Sequence, residues 1–478
     1  MTMLHLRTPA RLAKLMLKAF YADWQRRAYA FETYTPGKQL KIFLYGTPGL
    51  WNTGADGRTH ELIRQVSQVL GPTNLDLTAA VFDKIPIQGI PYEDLELRPP
   101  DDMLQLPEEY LQPAKHFRPK NMALKNSMFA PIDHTHGFII ADGGQFLGGH
   151  DFLFTVPTVL GMHRAAEQEK FSLSYGVDAC QAPWPLNHLY SRYLRESTII
   201  TRTPYNSPLR KLGLNVKNGT DTGWTFNPLP PAYGKKVLSE NGWDQNTRIL
   251  AICPNQQHAR PAGMSKTDKN VNFYREKAIK SITNAVKAFR QDDPVFPIII
   301  SMARGDFSFC SKLAVALGRV PHFTSGNYNM FQLTSILRCA DFLIASRYHA
   351  IVFSMPAGIP SGWIGGPKDP RCTPVFEDRG HLELTASMRE DTYFEERLLV
   401  MLRKLRAGPE KIRDEIFKSV VRHLQKMADM GKELEAVVSD CYPEFPVPDN
   451  KTYWYDYLPP LSENLNNLLE KYLSKSLE

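Results

Sequence analysis

The chain has 478 residues, of which 43% are hydrophobic and 22% charged, and its net charge is +7 at pH 7. These values are ordinary for a soluble globular protein of two or three domains. No apolar stretch approaches the ~20 residues of a membrane-spanning helix, and no Lys/Arg-rich run of the DNA-binding kind occurs. We therefore expect neither a membrane span nor a nucleic-acid partner, and the modest positive charge suits an enzyme that handles anionic substrates.

The six cysteines lack a Cys-x-x-Cys or any other metal-binding spacing, so we predict single thiols in a reducing, cytoplasmic compartment. Residues 1–38 are basic and predict an amphipathic helix, with Leu12, Leu15, Met16 and Phe20 on one face. Such a helix can pack on the protein, act as a targeting peptide or make a peripheral membrane contact. Packing on the protein is the favoured interpretation.

The chain then alternates predicted strands and helices, which indicates an α/β fold. A helix is expected over about 58–70, and the Pro- and acid-rich residues 84–135 predict an excursion over the surface. This pattern predicts a first Rossmann-like domain over 39–226. Its predicted strands are 41–45, 137–141, 171–176 and 198–202.

A Pro-rich start predicts a linker over 227–245, and the α/β rhythm resumes after it. The continuous apolar run at 296–302 is typical of a buried parallel strand. We predict a second Rossmann-like domain over 246–385 and a helical C-terminal extension over 386–478. The predicted strands of this half are 248–253, 296–302, 341–345 and 361–365, and its helices are 273–289, 309–317 and 330–338.

The most informative motif follows the predicted strand 341–345, where Arg347, Tyr348 and His349 open a helix. Strand ends that open helices are where ligands bind in α/β folds, and helix N-termini attract anions. Arg347 can bind a phosphate or carboxylate with two parallel hydrogen bonds, and His349 can move protons near neutral pH. The alternative is a structural arginine beside a packed histidine.

These segments together resemble the polysaccharide pyruvyl transferase family over about 39–384. The most specific part is 340–350 with Ala357-Gly358-Ile359-Pro360 after it, which is similar to the family's strand, R-x-H and small-Gly-x-Pro signature. Further similar segments occur in family order. They are Asn52 to Asp56, the turn Asp142-Gly143-Gly144, Tyr175 to Val177, Thr201 to Gly213, and Asp306.

Two departures from the family pattern are visible. Tyr348 stands where Leu is common, and Asp142 and Gln145 stand where a longer glycine run is usual. In addition, the excursion 84–135 and the C-terminal extension have no counterpart. These differences concern the acceptor and the partners more than the donor.

The resemblance implies two Rossmann-like domains facing a cleft, similar to the GT-B glycosyltransferases. It implies transfer of a pyruvyl group from phosphoenolpyruvate to two hydroxyls of a carbohydrate acceptor, as a cyclic ketal, with no metal or organic cofactor. It assigns acid/base catalysis to His349. Arg347 and Arg202 would bind the donor's carboxylate and phosphate, and backbone N–H groups near Tyr348 would assist. The turn Asp142-Gly143-Gly144 is expected to face the same cleft.

Two other functions remain open on sequence grounds. One is a GT-B-type glycosyltransferase that uses a sugar nucleotide, and the other is a non-catalytic carbohydrate-binding relative, because one fold can host all three. Arg371 and Arg379 follow the motif and could neighbour the anion, although surface ion pairing is the favoured interpretation. His134 and His136, together with His150 and Asp151, could suggest metal ligands. Solvated side chains are favoured because two histidines at i and i+2 on a loop have no further clustered ligands.

Overall fold

The computed structural model describes residues 30–46, 51–79, 129–141, 152–178, 182, 184–204, 206–261, 264, 268–389 and 391–473. Within these ranges the strands form two parallel sheets, one of six strands and one of five. The predicted α/β fold of two Rossmann-like domains is therefore confirmed. The predictions for residues 1–29 and 80–128 and for the turn Asp142-Gly143-Gly144 lie outside the described residues.

The first domain is built on the six-stranded sheet. Its strands are β1 (Leu40–Tyr45), β2 (Leu75–Ala79), β3 (Gly137–Ile140), β4 (Phe171–Val177), β5 (Thr198–Thr201) and β6 (Asn215–Asn218). Their order in the sheet is β2-β1-β3-β4-β5-β6. The chain adds β2 on one side of β1 and β3 on the other, so the topological switch point lies between β1 and β3. Loops that follow these two strands open onto a crevice at the carboxyl edge of the sheet.

The second domain repeats this plan with five strands. They are β7 (Arg248–Cys253), β8 (Val295–Ser301), β9 (His322–Thr324), β10 (Phe342–Ala345) and β11 (Ser361–Trp363). Their order in the sheet is β11-β10-β7-β8-β9, which puts the topological switch point between β7 and β10. The Arg347–His349 motif leaves the sheet at this switch point, where α/β folds bind ligands.

Helices cover both sheets and build the C-terminal extension. In chain order they are α1 (Thr53–Leu70), α2 (Phe129–Asp133), α3 (Phe152–Glu167), α4 (Trp184–Tyr193), α5 (Ser207–Arg210), α6 (Pro231–Glu240), α7 (Val271–Asp292), α8 (Phe307–Ala316), α9 (Met330–Leu337), α10 (Tyr348–Ser354), α11 (Thr373–Asp378), α12 (Phe394–Ala407), α13 (Pro409–Cys441) and α14 (Glu463–Leu473). The segment predicted as a linker thus contains α6, which packs on α9 through the backbone of Gly234. No helix of the described residues is long and apolar enough to cross a membrane.

Two helices connect the domains. The helix α1 is buried along almost its whole length, including polar residues such as Glu61, which accepts a hydrogen bond from Thr225 at 2.7 Å. The 33-residue α13 contributes Ile416 and Leu424 to the core of the second domain and Leu434 to that of the first. The C-terminal extension therefore fastens the two domains together, and α1 reaches the cleft between them.

Candidate active site

A cleft of about 150 Å³ lies between the carboxyl edges of the two sheets. It exceeds the ~10–15 Å³ that one water needs, so it can hold a small molecule with several polar groups. Both domains line it, and four of its lining residues are arginines: Arg58, Arg202, Arg347 and Arg371. The cleft is therefore suited to a compact anion.

The first turn of α1 closes one side of this cleft. The Thr53 amide donates to the Met302 carbonyl at 3.0 Å, and the Arg304 amide donates to the Trp51 carbonyl at 3.1 Å, so backbone bonds join the domains here. Gly54 and Ala55 then line the cleft. The N–H groups of a helix's first turn lack intrahelical partners and carry partial positive charge, which favours an anion at this place.

Arg347 is the residue that precedes α10, and part of its guanidinium faces the cleft. Its Nε donates to the Asp306 carboxylate at 2.5 Å, and Asp306 is fully buried. Among the described residues, neither Nη1 nor Nη2 of Arg347 has a protein acceptor, and the side chain is 22% exposed. The carboxylate thus orients the guanidinium and leaves its outer fork free for a ligand. Nearby, the Ser346 hydroxyl accepts a hydrogen bond from the backbone N–H of Asn255 at 2.7 Å, which joins the ends of β10 and β7.

His349 lies deeper in the same cleft. Its Nε2 is 3.5 Å from the Asp221 carboxylate, an ion-pair distance longer than a well-formed hydrogen bond. Its other ring edge faces the backbone of Gly54, where an added Cβ would sit 2.0 Å from Nδ1. Burial lowers the pKa of His349 below its ordinary value, although the Asp221 carboxylate acts in the opposite direction. The free imidazole is therefore largely neutral near pH 7.

Asp221 is the electrostatic centre of the site. One of its oxygens lies 2.6 Å from Nη1 of Arg202 and 3.6 Å from Nε of Arg58. The other oxygen accepts a hydrogen bond from the backbone N–H of Gly223 at 2.8 Å. Burial alone would raise the pKa of this carboxyl, but the permanent charges of Arg58 and Arg202 hold it well below the usual range. Sequence reasoning missed Asp221 as a site residue. The available signal was an Asp capping a short helical turn, which is common in any fold.

Arg202 lies in the cleft, as expected, but its charge is already engaged. Its Nε and Nη2 bind Asp178 at 2.6 and 2.7 Å, and its Nη1 binds Asp221. Its guanidinium also lies 4.7 Å from the ring centre of Tyr348, a cation–π contact. Binding of the donor by Arg202 remains a prediction, whereas the geometry gives it a clear part in positioning Tyr348 and Asp221.

The two arginines that follow the motif, Arg371 and Arg379, lie in different places. Arg371 lines the cleft; its Nε and Nη2 bind Asp369 at 3.2 and 2.9 Å, and among the described residues its Nη1 has no protein acceptor. Arg379 is buried elsewhere, donates to the Ser361 hydroxyl at 2.9 Å and lies over the Phe376 ring. Surface ion pairing is therefore wrong for Arg379, and Arg371 joins the candidate site.

Two further features belong to the scaffold. Arg58, which sequence reasoning did not assign to the site, donates to the Ala141 carbonyl at 2.6 Å and to the Tyr175 carbonyl at 2.8 Å. It therefore ties α1 to the ends of β3 and β4. His136 is buried, and its Nδ1 accepts a hydrogen bond from the backbone N–H of Lys41 at 2.9 Å, so a solvated side chain is wrong for this histidine. His134 is exposed.

Comparison with known families matches the middle of the chain. Residues 139–366 match the family model described as polysaccharide pyruvyl transferase. Over this segment, the chain is similar to the polysaccharide pyruvyl transferase family. The segment includes Arg202, Arg347 and His349, and the resemblance predicted from the sequence is confirmed. A search of curated proteins found no match.

Several solved structures are similar at very low identity. One is a UDP-GlcNAc 2-epimerase from Neisseria meningitidis bound to UDP-GlcNAc, with 8% identity, coverage of 82% of this chain and 100% of that chain, and a TM-score of 0.47. A UDP-GlcNAc 2-epimerase from Methanocaldococcus jannaschii has 8% identity, 80% and 100% coverage, and a TM-score of 0.45. A mutant O-GlcNAc transferase from Thermobaculum terrenum has 11% identity, 92% and 74% coverage, and a TM-score of 0.42.

Proposed function

We propose that this protein transfers a pyruvyl group from phosphoenolpyruvate to two hydroxyls of a sugar in a glycan or its precursor, forming a cyclic ketal. The observation that carries the proposal is the pairing of two groups in one cleft: the free guanidinium fork of Arg347 and the imidazole of His349. Both lie at the switch point of the second sheet and inside the segment that matches the family.

The donor would bind through its two anionic groups. A guanidinium fork matches a carboxylate or a phosphate with two parallel hydrogen bonds, and Arg347 has that fork free. The free Nη1 of Arg371 and the first turn of α1 offer positive charge for the second group. The buried carboxylates of Asp306 and Asp369 fix both arginines, so little side-chain entropy is lost on binding.

The reaction requires balanced proton transfers. A proton added to C3 of the enol turns it into a methyl group and leaves an oxocarbenium-like centre at C2. One sugar hydroxyl adds to C2 and loses its proton to the acid/base group that protonated C3. Phosphate then leaves with its C–O bond electrons, the second hydroxyl closes the ring, and its proton is carried away with the phosphate. A single acid/base near the working pH can serve the first two transfers.

His349 is the group that we assign to these transfers. Its lowered pKa keeps the imidazole largely neutral before the donor arrives. The negative charges of a bound donor would raise that pKa, so that binding loads the proton needed at C3. Asp221, at 3.5 Å, would then stabilise the imidazolium. After protonating C3, the neutral ring can accept the proton of the attacking hydroxyl.

The test measures phosphate release from phosphoenolpyruvate across a panel of glycan acceptors, for the wild type and for His349→Gln. The variant should release phosphate ~10²–10⁴-fold more slowly, the usual contribution of an acid/base. The control is His163→Gln, because His163 lies on α3 outside the cleft and pairs with Glu167. Equal rates in His349→Gln and the wild type would remove His349 from the mechanism.

A thermal-shift measurement separates the alternatives. Phosphoenolpyruvate should raise the melting temperature of the wild type, because a ligand that binds only the folded state stabilises it. Arg347→Gln should abolish that shift. Stabilisation by sugar nucleotides alone would favour the glycosyltransferase, and binding without phosphate release on any acceptor would favour the non-catalytic relative.

A further inference from the structure

A second, smaller pocket lies on the second domain beside the donor cleft. Its volume is about 60 Å³, and it lies between the start of α7 and α8. The two sites share one loop, since Asn255 lines the cleft and Gln256 lines the pocket. The other polar lining residues are Asn272, Arg275, Glu276, Ser308 and Lys312. A ligand that occupies the cleft beside His349 could therefore extend into this pocket.

The cations of this pocket differ from those of the donor cleft. There, Arg202, Arg347 and Arg371 each bind a buried aspartate. Here, neither Arg275 nor Lys312 forms an ion pair with any acidic side chain of the described residues. Within the part of the chain that the structure describes, the Nε of Arg275 is buried without a hydrogen-bond partner, and its Nη1 reaches only the Asn272 side chain at 3.5 Å. A buried, unsatisfied guanidinium donor is costly unless a ligand binds it.

Arg260 lies near the charges of Arg275 and Arg389, and its Nη1 donates to the Met264 carbonyl at 2.7 Å. Burial lowers the pKa of Arg260, and the nearby charges of Arg275 and Arg389 lower it further. Arg389 also acts on His258, which lies 3.9 Å from the Asp369 carboxylate of the donor cleft. Like charges held together in this way repel one another, and an anion between them would remove that repulsion. Glu276 is the one acid among the described residues that line the pocket, and it does not balance them.

We propose that this pocket, with Arg275 and Lys312, binds a phosphate or diphosphate group of the acceptor. The inference rests on the proposed function and makes it more specific: the acceptor is a glycosyl phosphate or diphosphate rather than a neutral glycan. A neutral sugar would leave these cations unpaired, whereas phosphate oxygens satisfy several guanidinium donors at once. The phosphate-bearing carrier is either a nucleoside or a lipid, since both present the same group.

Direct binding is tested with inorganic diphosphate as the probe and with the full chain. The measurements use an Arg347→Gln background, so that the donor cleft contributes little. Diphosphate should raise the melting temperature in this background, and the added change Arg275→Gln should remove most of the shift. The matched control is Arg290→Gln, an exposed arginine on the same helix, which should leave the shift intact. An equal shift with Arg275→Gln, or none in the background, would overturn the proposal.

Acceptor use is tested in the phosphate-release assay with a nucleoside diphosphate sugar, a prenyl diphosphate sugar and the corresponding neutral glycoside. In Arg275→Gln the KM for the phosphorylated acceptor should rise about tenfold or more, while the KM for phosphoenolpyruvate stays unchanged. Whichever diphosphate serves identifies the carrier. Efficient transfer to the neutral glycoside, unaffected by Arg275→Gln, would refute this inference and leave the proposed function intact. Diphosphate binding that depends on Arg275, without any transfer, would instead refute the proposed function.

Discussion

The contact between Gly54 and His349 gives the sharpest test of the site. Gly54 lies in the first turn of α1, directly against the imidazole. Alanine is a better helix former than glycine by ~1 kcal/mol, so helix propensity favours Gly54→Ala. The substitution therefore challenges the position of His349 without weakening the helix that carries the change.

The expected displacement follows from the geometry. A Cβ at position 54 would lie 2.0 Å from Nδ1 of His349, whereas ordinary contact begins at 3.4 Å. The ring or the helix must therefore move by about 1.4 Å, the difference between these two distances. A misplacement of ~1 Å can cost ~10²-fold in rate. We expect a loss of this order in phosphate release, while overpacking costs ~1–3 kcal/mol of stability, partly offset by helix propensity.

The assay compares kcat and the free energy of unfolding in Gly54→Ala with those in Gly305→Ala. Gly305 lies in the loop after β8, and a Cβ there would meet only the Gln256 side chain, at 3.8 Å. The control should keep nearly full activity. If Gly54→Ala retains wild-type kcat and donor affinity, then His349 does not need its observed position, and the catalytic role assigned to it fails.

Three further predictions test separate parts of the site and its scaffold. Arg347→Lys should lower kcat/KM for the donor by ~10-fold or more, measured as phosphate release, because an ammonium cannot replace the fork. Calorimetry in buffers of different ionisation enthalpy should show more proton uptake on donor binding near neutral pH in the wild type than in His349→Gln, since bound anions raise the lowered pKa of His349. Glu61→Gln leaves Arg64 buried without its carboxylate, and denaturant unfolding should show a loss of ~3–5 kcal/mol with unchanged activity per folded molecule.

The central strands could be predicted from the sequence because their apolar runs are continuous. The segment 248–253 was predicted with the bounds of β7, and those of β1, β4 and β8 came within a residue or so. The strands β2, β6 and β9 were missed. All three lie at the edges of their sheets, and the partly exposed sequence of β6, Asn-Val-Lys-Asn, has no apolar run. Edge strands carry a weak hydrophobic signal because part of their surface meets water.

The candidate site could be predicted only in part, for a related reason. Arg347 and His349 belong to one local motif that a strand-to-helix turn exposes, so their spacing alone points to a ligand. Asp221 approaches His349 only after the two domains pack, and Arg58 approaches Asp221 only in the folded first domain, so no short-range pattern marks either residue. The same limit explains Arg371, whose place in the cleft depends on the path of the chain after β11.

The two anion sites differ in whether buried carboxylates neutralise their cations. In the donor cleft, buried carboxylates already hold the arginines, so the charge of an incoming donor is met partly by a proton taken up at His349. In the second pocket, neither Arg275 nor Lys312 pairs with a carboxylate of the described residues, and Lys312 is exposed. Salt screens exposed charges more than buried ones. Acceptor affinity should therefore fall more steeply with ionic strength than donor affinity, whereas donor affinity should respond more strongly to pH.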